Sequence, residues 1–190
     1  MDKILFVNAC VRPESRTLLL ARHILERLDG GIEEINLQQA EIFPLNWQRL
    51  QERDALVRRG EWNAPVFRHA RQFAAADQIV VAAPYWDLMF PALLKDYLEA
   101  VTVCGLTFRY TPEGRPQGLC RARRLIYATT AGGPTAGADF GFDYIKALAT
   151  RFYGIPDVRC HRAEGLDIWG NDPEAILAAA IAEVDRALQP

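Results

Sequence analysis

Serine is almost missing from this chain of 190 residues, and Ser15 is the only one. Lysine is nearly as scarce, three against nineteen arginines spread without any stripe, which reads as coding bias. With a formal net charge of −2 there is no electrostatic case for nucleic acid or for an anionic membrane as partner. Cys10, Cys104, Cys120 and Cys160 are the only cysteines. They lie far apart, with no C-x-x-C and no zinc-like spacing to the three histidines. Free thiols in a cytoplasmic protein are expected. The chain runs straight into a strand pattern, with no basic segment and apolar stretch of a signal peptide before it. G-x-G occurs nowhere, and neither do G-x-x-x-x-G-K-[ST], G-x-S-x-G or H-E-x-x-H. Those absences exclude the standard dinucleotide, P-loop, serine-hydrolase and zincin fingerprints.

What is present is ordinary globular composition, 50% hydrophobic and 24% charged, enough for one folded domain over residues 1–190. The chain is organised around Gln78-Ile-Val-Val-Ala-Ala-Pro-Tyr-Trp-Asp-Leu-Met-Phe-Pro91. Ile79–Ala83 is an unbroken apolar run too short for a helix, which predicts a strand buried on both faces of a parallel sheet. Pro84 ends it, having no N–H for a ladder, and Pro91 opens a helix. Similar runs predict strands over Lys3–Val7, Ile32–Leu37, Arg124–Thr129 and Asp157–Ala163. Helices are expected after Ser15, within Phe43–Asn63, over Val66–Ala76, from Pro91 toward Gly105, over Phe142–Tyr153 and over Glu174–Leu188. Leu106–Leu119 reads as a long loop. Alternating strands and helices give an α/β doubly wound sheet. With the dinucleotide fingerprint absent, the flavodoxin-like order 2-1-3-4-5, with helices on both faces, is what remains.

In such a sheet ligands sit beyond the carboxyl ends of the strands. Three loops there carry chemistry. Cys10–Thr17 offers Ser15, Arg16 and Thr17 at a helix start, with Arg12 nearby, where exposed amides and the helix dipole favour an anion. The plainer alternative is that Ser15 only caps the helix. Pro84, Tyr85, Trp86, Asp87 and Leu88 offer aromatic faces and amides, or simply pack over the sheet edge. Thr130, Ala131, Gly132 and Gly133 either let backbone approach a flat ligand or form a plain turn. Together they describe a site for a phosphate joined to an aromatic ring system, as in flavin mononucleotide (FMN). The histidines at 23, 69 and 161 fall away from these loops.

At these residues the chain resembles the flavodoxin-like NAD(P)H:quinone oxidoreductases, most nearly the FMN-dependent NADH-azoreductases. The resemblance rests on Val80-Val-Ala-Ala-Pro-Tyr-Trp-Asp-Leu-Met-Phe-Pro91, on Gly105-Leu-Thr-Phe-Arg-Tyr110, on Thr129-Thr-Ala-Gly-Gly133, on Arg12-Pro-Glu-Ser-Arg-Thr17 and on Glu164-Gly165. It implies non-covalent FMN, NADH or NADPH as electron donor, and a small quinone or azo acceptor reduced by ping-pong hydride transfer. It also implies a homodimer with the site at the subunit interface. By the same resemblance Ser15, Arg16 and Thr17 hold the phosphate, the loops at 84–88 and 130–133 hold the ring, and Phe108 and Tyr110 line the substrate side. No side-chain acid or base is required. The chain departs from the family pattern at Cys10 or Ala9, depending on alignment, where an early serine is usual, and at Asp87, where asparagine is usual. Its segment between the second and third strands is also shorter. The competing readings are a flavin reductase and a non-catalytic flavodoxin-like binding module.

Overall fold

The computed structural model describes residues 1–135 and 139–188. Along the chain run β1 (Lys3–Asn8), α1 (Arg16–Glu26), β2 (Gly31–Asn36), α2 (Trp47–Arg59), α3 (Arg68–Ala75), β3 (Gln78–Ala82) and α4 (Ala92–Val101). Then come β4 (Phe108–Tyr110), β5 (Pro116–Gly118), β6 (Arg124–Thr130), α5 (Phe140–Leu148), β7 (Asp157–Ala163) and α6 (Pro173–Ala187). Five strands pair in the order β2-β1-β3-β6-β7, all parallel. This is the expected 2-1-3-4-5 arrangement with the short hairpin β4–β5 set aside.

The strand pleat sends alternate residues to opposite faces, so one sheet serves two cores. Ile4, Phe6, Val80, Ala82, Ile126 and Ala128 face α1 and α6, meeting Leu20, Ile24, Ala180 and Val184. Leu5, Val7, Ile79, Val81, Leu125 and Tyr127 face the other way, against Phe73, Leu94, Tyr97, Leu98 and Ile145. Each such buried Leu, Ile, Val or Phe contributes about 1.5–3 kcal/mol through burial. With both faces covered, the strands read as continuous apolar runs. α2 has no buried residue and touches the body mainly through Leu56 and Val57, near Phe67 and Val103.

Three local differences from the sequence-based expectation have physical causes. Leu106–Leu119 is not an open loop, because β4 and β5 pair antiparallel around Thr111-Pro-Glu-Gly114, with Gly114 at φ 75°. Gly118 lets this hairpin lie directly on the chain at Tyr153–Gly154, where an added Cβ would fall 2.2 Å from the Tyr153 carbonyl carbon. The helix expected over Phe142–Tyr153 starts two residues earlier and ends in a π-turn at Ala149–Tyr153, capped by Gly154. That wider turn carries the Tyr153 ring into the core, where its hydroxyl shares a 2.7 Å hydrogen bond with Thr102. Finally, Pro91 caps α4 from just outside rather than forming its first residue. Among the described residues no helix is long and apolar enough to cross a membrane.

Candidate functional site

β1 and β3 end level in the sheet, with Asn8 beside Ala82, and β6 runs past Ala128, the neighbour of Ala82, to Thr130. The chain leaves β1 to one side for β2 and returns on the other side for β3, which makes this edge the switch point where a crevice must open. A cleft of about 430 Å³ lies there, within the usual range of roughly 300–1,000 Å³ for small-molecule sites. Val11, Arg12, Glu14, Ser15, Arg16 and Thr17 form one wall. Pro84, Tyr85 and Trp86 form the second, and Thr130, Ala131 and Gly132 the third. The three loops singled out in the sequence thus meet.

The first wall is set by local chemistry. Ser15 keeps extended backbone, and its Oγ accepts from Leu18 N at 3.2 Å, so it is the α1 cap. The amides of Arg16 and Thr17, first in the helix, have no hydrogen-bond partner among the described residues. Two donors at the positive end of the dipole are what an anion needs. Thr17, 1% exposed, shares a 2.6 Å hydrogen bond between its Oγ1 and that of Thr130, joining the first wall to the third. Whichever hydroxyl donates, the other keeps its own proton. Upstream, Gln38 Nε2 donates to the carbonyls of Cys10 and Val11 at 3.0 and 3.2 Å, fixing the loop's path.

The second wall begins when Tyr85 N donates to Thr130 O at 3.0 Å. Trp86 and Met89 then exchange backbone hydrogen bonds of 2.9 and 2.8 Å around a two-residue turn. Both turn residues are left-handed, Asp87 at φ 51° and Leu88 at φ 69°, without a glycine. Asp and Asn tolerate that region best among residues with a side chain, so the turn supplies a backbone reason for an Asx residue here. For Leu88 the conformation is strained, as is common beside binding sites.

A fourth loop, following β7, also reaches the cleft through Leu166 and Asp167. Leu166 N donates to Ala131 O at 3.2 Å and Asp167 N to Gly132 O at 2.9 Å, stitching this loop to the third wall. The Asp167 carboxylate meets Arg16 Nη1 at 3.1 Å. At Gly132 an added Cβ would come within 2.5 Å of Asp167 Oδ2, so any side chain there would push the carboxylate aside.

Several singled-out residues lie elsewhere. Cys10 is buried behind the first wall, its thiol 3.9 Å from Ala82 O and pushed up to about 11 by burial, so it stays protonated at neutral pH. Asp87, Leu88 and Gly133 do not line the cleft. Neither do Phe108 and Tyr110. Phe108 is buried edge-on against Phe152 at 5.0 Å, while Tyr110 stands exposed on the hairpin. His23 binds Asp185 at 2.8 Å, tying α1 to α6, and His69 and His161 sit on α3 and β7. Among the described residues no cluster of three or more His, Cys, Asp or Glu could hold a metal. Val11 and Glu14, inside the first loop, and Leu166 and Asp167, just past Glu164-Gly165, line the cleft without having been singled out individually by the sequence.

A family model described as flavodoxin-like fold matches residues 2–188. The chain belongs to that family. It is 33% identical over 190 residues, 95% of each chain, to a protein of Clostridium beijerinckii named FMN-dependent NADH:quinone oxidoreductase. A protein of the same name from Lachnoclostridium phytofermentans is 33% identical over 184 residues, 92% of each chain. Among solved structures, an FMN-dependent NADH-azoreductase from Bacillus anthracis in complex with FMN superposes with a TM-score of 0.84 at 25% identity, over 99% of this chain and 98% of that one. The flavodoxin-like family assignment agrees with the strand order, and it makes a cleft at the β1/β3 switch point the natural ligand site.

Proposed function

We propose that this chain is an FMN-dependent NADH:quinone oxidoreductase that also accepts azo compounds. The observation that carries the reading is the meeting, in one cleft, of a partnerless helix start at Arg16 and Thr17 with the aromatic wall at Tyr85 and Trp86. Its relatives carry names of that activity over almost the whole of their length. The residues fit FMN. The two unpaired amides, with Ser15 and Arg16, suit a phosphate. Pro84–Trp86 and Thr130–Gly132 suit a flat ring, with two aromatic side chains on one side. When bound, FMN supplies two-electron hydride chemistry. This chain's residues hold and orient it. The first wall fixes the phosphate end, the second and third walls flank the ring, and Trp86 offers an apolar face to whatever stacks beside it. One open mouth for donor and acceptor in turn accounts for a ping-pong order.

Trp86, Leu88, Tyr110, Phe140 and Trp169 are large apolar side chains left exposed. A homodimer that covers some of them, bringing Tyr110 toward a partner's site, belongs to this reading. So does a reducing, cytoplasmic setting for four free cysteines. A second reading, a flavin reductase that releases its reduced flavin, is favoured by one feature. The cleft carries as many carboxylates, Glu14 and Asp167, as guanidiniums, Arg12 and Arg16. Steady-state kinetics with NADH and benzoquinone test the proposal. Parallel double-reciprocal lines and a retained flavin are expected. Absence of NADH-dependent quinone reduction by FMN-loaded protein would sink it.

A further inference from the structure

A site suited to an anion has a carboxylate set inside it. Asp167 lines the same cleft as Ser15 and Thr17, and its Oδ1 is 3.1 Å from Arg16 Nη1. The position is built rather than incidental. The Asp167 amide is held by Gly132 O at 2.9 Å, the neighbouring Leu166 amide by Ala131 O at 3.2 Å, and Gly132 is bare where the carboxylate packs. The ion pair is not what holds this loop. Its side chains are 44% and 73% exposed, and pairs so exposed contribute little to stability, whereas the backbone bonds fix the loop without it.

We propose that Asp167 is a competing counter-anion for the flavin phosphate, occupying Arg16 and keeping bound FMN exchangeable. The inference rests on the FMN reading above and extends it to how firmly the flavin is held. Arg16 presents its donors in a rigid fork that grips a phosphate best through two parallel bonds. Asp167 takes one of those nitrogens and sets a negative charge beside the anion's place. Phosphate must therefore share Arg16 or displace the carboxylate. Riboflavin, which has no phosphate, meets no such competition, so Asp167 narrows the preference for FMN over riboflavin. Removing the carboxylate charge while keeping its shape separates this role from a structural one.

The experiment is equilibrium titration of apo-protein with FMN and with riboflavin, for wild type, Asp167→Asn, Arg16→Gln and the double variant. Asn keeps an oxygen that can accept from Arg16 and removes only the charge. A single charge near a phosphate dianion at roughly 6 Å in screened water corresponds to about three- to tenfold in affinity. Asp167→Asn is therefore expected to tighten FMN by that factor at low salt, slow FMN release, and leave riboflavin unchanged. The gain should shrink in the Arg16→Gln background and fade in about 1 M salt, where screening is nearly complete. FMN affinity that is unchanged or weaker in Asp167→Asn overturns the inference. So does riboflavin tightening in step with FMN, or a gain that survives high salt, since either means a reshaped loop. A wild-type chain that takes up neither flavin overturns the FMN reading itself, and this inference with it.

Discussion

The two ends of the cleft are built on opposite plans. The α1 end is closed by the chain itself, through the Ser15 cap, the Thr17–Thr130 hydrogen bond, the Arg16–Asp167 pair and the Gln38 clasp. Every device there is polar and directional. The Trp86 end is tied to the third wall by the Tyr85 N–Thr130 O hydrogen bond and shaped by its own tight turn, and it leaves Trp86 and Leu88 exposed. Polar groups need hydrogen-bond partners, and at this end the Arg16 and Thr17 amides, without one among the described residues, are left for an anion. Apolar surface can wait for a ring, a substrate or a second copy to cover it. Affinity for the cofactor should therefore reside at the first end and acceptor handling at the second.

The sharpest way to break that division is the double substitution Ser15→Ala, Thr17→Ala. Loss of two hydrogen bonds to a charged group costs about 3–6 kcal/mol, at about 1.5–3 each. FMN affinity should fall at least about a hundredfold while riboflavin affinity barely moves, as read by fluorescence titration; equal losses for both flavins would place the phosphate elsewhere. Trp86→Ala probes the other end. Stacking on an aromatic face contributes roughly 1–3 kcal/mol, and a partly exposed Trp86 should deliver the lower part. The KM for benzoquinone should rise about tenfold, with FMN affinity changed far less.

A smaller effect concerns how α1 is anchored far from its cap. Asp185 on α6 is held below the ordinary carboxylate range by hydrogen bonds from His23 and Arg27. A depressed folded-state pKa adds stability above the unfolded value of about 3.9 and loses it as pH falls through the folded value. Asp185→Asn should therefore lower Tm at pH 7, and the two melting curves should converge below about pH 4. Curves that stay parallel would mean that the carboxylate's charge does not matter. Asp87→Asn should matter least. Asp87 is exposed, and at roughly 8 Å in water its charge opposes reduced flavin by only about 0.5 kcal/mol, on the order of 10 mV for a two-electron couple. Potentiometry should show a rise of about that size, and a shift of several tens of millivolts would mean a desolvated carboxylate.

Much of this contrast is legible in the sequence. Lys3–Val7 and Ile79–Ala83 announce buried parallel strands because both their faces are covered, and the absent G-x-G leaves one common strand order. Ser15, Arg16 and Thr17 stand out because serine is otherwise missing. The hairpin escaped notice because strands of three residues, with Arg109 and Tyr110 exposed, show no period. The turn at Asp87-Leu88 was hidden because its left-handed residues are neither glycine nor asparagine. Asp167 could not be assigned from sequence at all. It meets Arg16 across 151 residues of chain, through the adjacency of β6 and β7, and nothing local to Leu166-Asp167 signals a ligand.

Anaerobic reconstitution tests the central claim most directly. Apo-protein mixed with FMN and then gel-filtered should carry one flavin per chain, its visible absorbance should bleach when NADH is added, and benzoquinone should restore it. A chain that emerges colourless, or a bound flavin that NADH leaves oxidised, would contradict the account.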